Sequence, residues 1–379
     1  MSGANPSRPL RVVLHGGTWT TNIGNAFLHW GARALIEAAV PDAELHFAST
    51  MPHYYYLRRI APPPPRPHGP MNLAFRAGRK LHRILRPSQG RPASSGRSAS
   101  DSDPTAYATL LAGDPTIDVL SLADCDLIVV AGMMLSHAAV WLDYPALLRA
   151  ARGGTRILFL GVGAEYYNDR ERKECGDLLA RLDPIGLSSR DDDSYDLYGR
   201  SARNCIKGID CGFFVSHAYR PLPLRLKDYV AAAFDTTREP ATLGEKDNVV
   251  RLHHCSFGPQ PDVFFAGERT MISELPQDYL AFYANAREVH SDRVHACVAA
   301  LSYGVPARFY GRTPRVSLFK PVGCDRISDT TVTIREGLLD QKKAELVTWL
   351  RRTLVEVFPG RVGRSTLSRG SRREDEAGI

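Results

Sequence analysis

The residues best suited to chemistry are Arg293 and His295, two positions apart where a short apolar helix is predicted to begin. The unpaired N–H groups of a helix N-terminus attract anions. An arginine adds two parallel donors for a carboxylate or phosphate, and a histidine adds a proton carrier. With Ser291 just before them, these residues indicate a site for a small anion whose reaction moves a proton. The alternative is a surface pair of Arg293 with Asp292 beside a packed histidine.

Two further cations could join this site. Arg190 follows a predicted strand and precedes a predicted helix, a position where arginine binds an anion about as often as it pairs with a neighbouring acid. Asp191 is expected to cap that helix and could be this acid. Lys320 lies on a predicted short helix at 314–322, which the fold could bring back to the same cleft.

Three polar residues are candidates for binding a hydroxyl group. Asn22 and Asn25 stand in a glycine-rich turn after the first predicted strand, and Glu165 follows Gly161-Val162-Gly163. Glycines at strand ends let backbone N–H groups approach a ligand. Each turn could also be purely structural, which is the favoured interpretation for Gly161–Gly163. Neither turn matches the dinucleotide fingerprint or the P-loop.

The elements that must position these residues alternate between short apolar strands and amphipathic helices. Strands are predicted at residues 10–15, 44–48, 127–131, 156–160, 185–188, 229–234, 249–253 and 307–310. Longer helices are predicted at 22–39, 138–151, 170–182, 191–198, 277–286 and 335–357. This alternation predicts an α/β fold of two Rossmann-like domains that face a central cleft.

The predicted domains follow from this pattern. A flexible N-terminus (1–9) precedes an N-terminal Rossmann-like domain (10–215) with a Pro/Arg-rich insertion at 62–103, in which 71–85 could form a basic amphipathic helix. A C-terminal Rossmann-like domain (224–358) binds the anionic substrate, and a disordered tail (359–379) ends the chain.

Composition limits the class of protein. The chain has 379 residues, of which 44% are hydrophobic, and a net charge of +7. The segment 58–97 carries nine arginines, one lysine and no acid, so the positive charge belongs mainly to a loop and the tail. We therefore expect no nucleic-acid partner, although the basic loop 58–97 could touch an anionic membrane surface.

The cysteines and the N-terminus predict a reduced, cytoplasmic protein. Seven cysteines are scattered without a Cys-x-x-Cys pair, and the N-terminus lacks an apolar signal segment. Adjacent strand residues face opposite sides, so His253 and His254 cannot chelate one ion from a regular strand. No metal is expected, and a structural role is favoured for these two histidines, although one could line the cleft.

Taken in order, several motifs resemble the polysaccharide pyruvyl transferase family over residues 10–325. The motifs are Asn22-Ile23-Gly24-Asn25, Asp126–Gly132, Leu160–Gly163, Ser188–Ser194, Asp210-Cys211-Gly212-Phe213-Phe214, Ser291–Ala296 with Gly304-Val305-Pro306, and Lys320 downstream. The chain departs from the family pattern at Asn25, Cys211, Val294 and Met133-Met134.

The resemblance implies a glycosyltransferase-B-like fold, phosphoenolpyruvate as donor and co-substrate, and a sugar-type acceptor that is lipid- or nucleotide-linked. The product would be a pyruvate ketal, with phosphate released and no other cofactor. Arg190, Arg293 and His295 would be the donor-binding and catalytic residues. The alternatives are a nucleotide-sugar-dependent glycosyltransferase of the same fold and a catalytically degenerate, glycan-binding member. An acceptor from specialised metabolism also stays open.

Overall fold

The computed structural model describes residues 8–17, 22–49, 119–132, 134–135, 137–235, 237–244, 246–254 and 269–362. Within these ranges only the backbone of residues 134 and 137–143 is described. The predicted insertion at 62–103, the basic loop 58–97 and the helix at 71–85 lie outside the described residues.

The first half of the chain forms a parallel sheet of seven strands. The order is β2-β1-β3-β5-β6-β7, and β4 pairs with β5. The strands are β1 Arg11–Gly16, β2 Glu44–Ser49, β3 Leu127–Ala131, β4 Met134–Leu135, β5 Arg156–Ala164, β6 Gly186–Ser189 and β7 Asn204–Lys207. The chain leaves β1 in one direction for β2 and in the other for β3, so the switch point of this sheet lies between β1 and β3.

The second half forms a parallel sheet of five strands in the order β10-β9-β8-β11-β12. These strands are β8 Val230–Ala233, β9 Val249–Leu252, β10 Thr270–Met271, β11 Glu288–Ser291 and β12 Ala307–Phe309. Its switch point lies between β8 and β11, which pair directly. Two parallel sheets built this way confirm the predicted α/β class with two Rossmann-like halves.

The helices follow the predicted pattern with shifts of a few residues. They are α1 Gly24–Ala39, α2 Val119–Leu122, α3 His137–Arg152, α4 Asp169–Leu182, α5 Asp192–Tyr198, α6 Val215–Ala218, α7 Ala241–Gly244, α8 Pro276–Asn285, α9 Val294–Ser302 and α10 Leu338–Val357. Two 3₁₀ helices, Cys211–Phe214 and Pro314–Val322, complete the set. Asp191 caps α5 as predicted, because its side chain accepts a hydrogen bond from the Ser194 N–H.

The main core joins the two sheets. Buried apolar residues of β1, β3, β5, α1, β8, α9 and α10 form one cluster. Phe213 and Phe214, in the 3₁₀ helix between the two halves, are fully buried in it. Helix α10 returns from the second half to the first, where Trp349 packs near Gly186 and Arg351 donates to carbonyl oxygens at the end of α1. This last helix therefore packs across the interface between the two halves.

Several local predictions need correction. Strand β5 continues through Gly161-Val162-Gly163 to Ala164, where the sequence predicted a loop after residue 160. Strand β7, which no strong apolar pattern marks, was missed. Arg8 and Arg361, assigned to a flexible N-terminus and a disordered tail, both form ion pairs with Asp126. The bidentate pair of Arg361 ties the start of the tail to the first sheet.

Candidate functional site

Two charged side chains meet at the switch point of the second sheet. Asp235 follows β8, and Arg293 follows β11, the neighbouring strand. The Arg293 Nε lies 2.6 Å from Asp235 Oδ2, and the Asp235 side chain is almost completely buried. Ligands of open α/β sheets bind at such a point, beyond the carboxyl ends of the strands. The pair therefore lies where this fold binds small molecules.

The backbone around Arg293 is fixed by internal hydrogen bonds. Arg293 occupies the N-cap position of α9, and its N–H donates to the Ser291 hydroxyl at 2.8 Å. That hydroxyl donates in turn to the Ala233 carbonyl of β8. Asp292 accepts hydrogen bonds from Thr237. Asp292 is therefore not the partner of Arg293, and the alternative of an Arg293–Asp292 surface pair is wrong.

A cavity of about 180 Å³ opens at this helix start. It brings residues that follow β1 in the first sheet together with residues of the second half. The described lining residues are Asn22, His254, Asp292, Arg293, Val294, His295, Gly311, Arg312, Thr313 and Arg315. Three of the predicted site residues, Asn22, Arg293 and His295, thus share one cavity.

Arg293, Arg312 and Arg315 line this cavity, and the charge of Arg315 interacts with those of Arg293 and Arg190. Arg315, near the start of the 3₁₀ helix Pro314–Val322, has a lowered pKa, first because it is buried and then because Arg190 and Arg293 lie near it. Glu165 acts in the opposite direction. Because arginine stays charged in proteins, the effect is mutual repulsion. A bound anion would relieve this repulsion.

His295 stands between the two halves of the chain. Its ring and Cβ lie so close to Gly24, the first residue of α1, that a Cβ on Gly24 would come within 2.8 Å of the histidine Cβ. On the other side the His295 Nε2 lies 3.6 Å from Oδ2 of Asp210, a completely buried carboxylate. The other Asp210 oxygen accepts the Gly212 N–H. Nε2 therefore faces the Asp210 carboxylate at a distance longer than a hydrogen bond, and Nδ1 lies on the Gly24 side of the ring.

Arg190 is buried behind the cavity and does not line it. Only 2% of its surface is exposed, and its guanidinium donates to the Ala164 carbonyl, to Asp191 and to Tyr167. Burial alone would lower the pKa of Arg190, but Tyr167, Asp191 and Asp210 raise it above its ordinary value. A Cβ on Gly163 would lie 2.2 Å from the Arg190 Nε, so this glycine makes room for the arginine.

A short loop after β5 supports Arg190. The Glu171 carboxylate accepts three backbone N–H groups, from Glu165, Tyr166 and Tyr167. Tyr167 adopts a left-handed backbone with φ of 54°, a conformation that costs energy for a non-glycine residue. Its hydroxyl donates to Asp191 and lies 3.2 Å from the Ser317 hydroxyl of the second half. This loop thus joins Arg190 to the 3₁₀ helix that carries Arg315.

Besides Arg190, four predicted site residues do not line the cavity. Ser291 is completely buried and uses its hydroxyl to hold the backbone, so its predicted contact with the donor is corrected to a structural role. Lys320 is exposed at the far end of its 3₁₀ helix, and Arg315 takes its place as the cation from that segment. Asn25 lies against Gly17, and Glu165 lies near Arg315 without being among the lining residues.

Sequence reasoning missed several residues of the site. Arg312 and Arg315 follow β12 in a short polar segment. They were not predicted as site residues, although cations after a strand end are a usable signal. Asp235 also follows a strand. His254 lines the cavity, which the sequence analysis considered but did not favour. The role of Asp210 depends on a contact across 85 residues, and no local pattern carries that information.

Two general features complete the description. Within the described ranges, no group of three or more His, Cys, Asp or Glu residues is arranged to hold a metal ion. No helix in the described part of the chain is long and apolar enough to cross a membrane.

Comparison with known proteins gives one match by sequence and several by shape. The family model of polysaccharide pyruvyl transferases matches residues 22–314. No curated protein matches the chain significantly. The solved structures similar in shape include MnaA of S. aureus in a co-structure with UDP, with a TM-score of 0.48 and 11% identity over 91% of this chain and 90% of that chain. A UDP-GlcNAc 2-epimerase from Neisseria meningitidis, bound to UDP-GlcNAc, gives a TM-score of 0.43 and 14% identity over 93% of this chain and 94% of that chain.

The glycosyltransferase SnogD from Streptomyces nogalater gives a TM-score of 0.40 and 13% identity over 93% of this chain and 100% of that chain. These three likenesses are distant, and the assignment rests on the sequence match. Because the matched region, residues 22–314, covers most of the 379 residues, the chain belongs to the polysaccharide pyruvyl transferase family.

Proposed function

We propose that the protein transfers the pyruvyl group of phosphoenolpyruvate to hydroxyl groups of a sugar-type acceptor, forming a pyruvate ketal and releasing phosphate. The observation that carries the proposal is the meeting of Arg293, Arg312 and Arg315 with His295 in one small cavity. The family membership agrees with it. No single motif predicted from the sequence would be sufficient to support this function.

The cavity fits the donor in charge and in size. Phosphoenolpyruvate carries a carboxylate and a phosphate, and arginine side chains bind both groups in bidentate fashion. The N-terminus of α9 adds backbone N–H groups and a partial positive charge. At about 180 Å³ the cavity is smaller than the roughly 300–1,000 Å³ typical of drug-sized ligands. A small polyanion suits this volume better than a nucleotide sugar.

Ketal formation needs two kinds of proton transfer. A proton is added to C3 of the enol as an acceptor hydroxyl bonds to C2 and gives up its own proton. The bond from C2 to the phosphate oxygen then breaks, the second hydroxyl of the acceptor bonds to C2, and the proton of this hydroxyl leaves with the phosphate as hydrogen phosphate. We assign proton transfer to His295, whose Nε2 faces the Asp210 carboxylate at 3.6 Å. Arg293 and Arg315 stabilise the departing phosphate.

The acceptor side is proposed from position alone. Asn22 lines the same cavity as the arginines and belongs to the first half of the chain. Its Oδ1 accepts the Gly24 N–H at 3.2 Å, which leaves the amide NH₂ for an acceptor hydroxyl. The sugar could be lipid- or nucleotide-linked.

The proposal can be tested by thermal unfolding in the presence of ligands. A ligand at 100 times its Kd stabilises the folded state by about 2.7 kcal/mol. We expect phosphoenolpyruvate to raise the melting temperature of the protein by several degrees, and UDP and GDP to leave it unchanged. A shift with a nucleotide and none with phosphoenolpyruvate would favour a nucleotide-sugar glycosyltransferase. No shift with either would favour a degenerate, glycan-binding protein.

A further inference from the structure

A second histidine, His254, lines the cavity and has no assigned role. It follows β9, and only 1% of its surface is exposed. The ring is fixed by neighbours: Phe27 of α1 and Tyr279 of α8 meet it edge-on, with ring centroids 6.4 and 4.8 Å away. Its Nε2 contacts the Tyr283 hydroxyl. Its Nδ1 is buried and has no hydrogen-bond partner among the described residues.

The contact with Tyr283 determines which nitrogen of His254 carries the proton. Tyr283 is completely buried, and among the described residues its hydroxyl has one hydrogen-bond partner, the His254 Nε2. Burial also raises the pKa of Tyr283, so the hydroxyl keeps its proton. If Nε2 carried a hydrogen, the tyrosine O–H and the Nδ1 lone pair would both be buried without partners, whereas a hydrogen on Nδ1 leaves only that N–H unpaired, which costs less. The tyrosine therefore donates to Nε2, and the ring hydrogen is on Nδ1.

The surroundings keep this imidazole uncharged. The pKa of His254 is lowered to about 3, chiefly by burial and also by Arg293 and His295, while Asp235 and Asp292 act against them. Tyr279 and Tyr283 of α8 and Phe27 of α1 provide the remaining walls. A neutral ring with a hydrogen on Nδ1 is a donor that does not change with pH across the range in which the enzyme would be assayed.

We propose that Tyr283 holds His254 as the Nδ1–H tautomer and that this N–H donates a hydrogen bond to the anion bound in the cavity. His254 is thus a neutral donor beside the arginines, and Tyr283 is a positioning residue that acts through it. An uncharged donor adds direction to a site whose arginines supply charge. The binding half of this inference rests on the proposed phosphoenolpyruvate site, whereas the tautomer half does not.

Two substitutions at position 254 separate the two nitrogens. In His254→Asn the amide nitrogen stands near the position of Nδ1 and can donate into the cavity. In His254→Gln the terminal amide stands near Nε2 and can meet Tyr283, but the cavity loses its donor. Calorimetric titration with phosphoenolpyruvate should give an affinity within about threefold of the natural protein for His254→Asn and a loss of about 10- to 100-fold for His254→Gln. Equal losses in both, at matched melting temperatures, would overturn the inference.

The tautomer is measured directly in the free protein by nitrogen-15 NMR of the histidine side chains. The His254 signals are assigned by their absence in His254→Gln. We expect the Nδ1–H pattern, unchanged between about pH 5.5 and 8.5, and a mixture of tautomers in Tyr283→Phe. An Nε2–H pattern or titration in this range would overturn the inference. If the natural protein binds no phosphoenolpyruvate, the proposed function fails, and the NMR pattern still supports or overturns the assigned tautomer.

Discussion

Arg190 and Arg293 occupy corresponding places in the two halves and have different surroundings. Each follows a parallel strand, precedes a helix and pairs with an aspartate. The partner of Arg190 is Asp191, and the partner of Arg293 is Asp235. Arg190 is 2% exposed and uses its guanidinium on protein oxygens, whereas Arg293 lines the cavity and 20% of its side chain is exposed. The same sequence signal thus marks a buried residue in the first half and a cavity-lining residue in the second.

The difference follows from the sheets. Arg293 lies at the switch point between β8 and β11. The connections from these two strands run to opposite sides of the sheet, and a crevice opens between them. Arg190 follows β6, away from the switch point of its sheet, and the loop of Tyr167 covers it. We infer that Arg190 acts through its neighbours: it holds Ala164 and Asp191 in place and adds positive charge behind Arg315.

The largest effect is expected at His295. Replacing it in His295→Ala should lower turnover by about 100- to 10,000-fold, because general acid–base catalysis contributes that much. Binding of phosphoenolpyruvate should persist within a few-fold, since the arginines remain. Release of phosphate in the presence of an acceptor measures the first quantity, and calorimetry measures the second. A variant that retains most of its turnover would remove His295 from the assigned role.

The next largest effect compares the two arginines by the same substitution. Arg293→Lys keeps a charge beside Asp235 but loses the paired guanidinium donors that bind an anion in bidentate fashion. The affinity for phosphoenolpyruvate should therefore fall by about 10- to 100-fold, with a small change in melting temperature.

Arg190→Lys should show the reverse behaviour. Disruption of a buried ion pair costs about 3–5 kcal/mol, so we expect the melting temperature to fall by several degrees while the affinity changes less than in Arg293→Lys. Thermal unfolding and calorimetry on both variants give the comparison. Similar profiles for the two would mean that the arginines play one role.

A smaller effect tests how Arg190 is accommodated. A methyl group in Gly163→Ala would meet the arginine side chain and should lower the free energy of unfolding by about 1–3 kcal/mol. The matched control is Gly176→Ala, in α4, where no atom lies within 4 Å of the added Cβ. This control should be neutral or slightly stabilising, because alanine favours helix. Equal effects of the two in a denaturant titration would contradict the close fit at Gly163.

The smallest effect concerns acid stability. Burial alone would raise the pKa of Asp235, but His253 and Arg293 outweigh it and hold the pKa below its ordinary value. A lowered folded-state pKa means that the stabilisation is present above the unfolded value of about 3.9 and is lost as the pH falls through the folded value. Asp235→Asn should therefore flatten the fall in melting temperature below pH 4. The exposed Asp42→Asn serves as control and should leave that slope unchanged.

The sequence predicted the fold better than the site. Apolar alternation and helical periodicity are local properties, so β1, β3, α1 and α4 could be placed within a few residues. The glycines at 161 and 163 were predicted to form a loop. They leave space for Cys211 and Arg190, and the sequence around the glycines does not show this because both residues are 20 or more positions away. Arg293 and His295 could be found from their position before a helix. Asp235 and Arg315 also follow strand ends, a usable signal, but were not predicted. Asp210 could not be found in this way, because its role depends on a contact with the distant His295.

The central claim is that Arg293, and not Arg190, faces the donor in a phosphoenolpyruvate site. Calorimetric titration of phosphoenolpyruvate into the natural protein, Arg293→Lys and Arg190→Lys tests it most directly. The account predicts saturable binding at one site, weakened at least tenfold by Arg293→Lys and by less than threefold by Arg190→Lys in the folded protein. Binding that Arg190→Lys abolishes and Arg293→Lys leaves unchanged would contradict the account, as would the absence of binding to the natural protein.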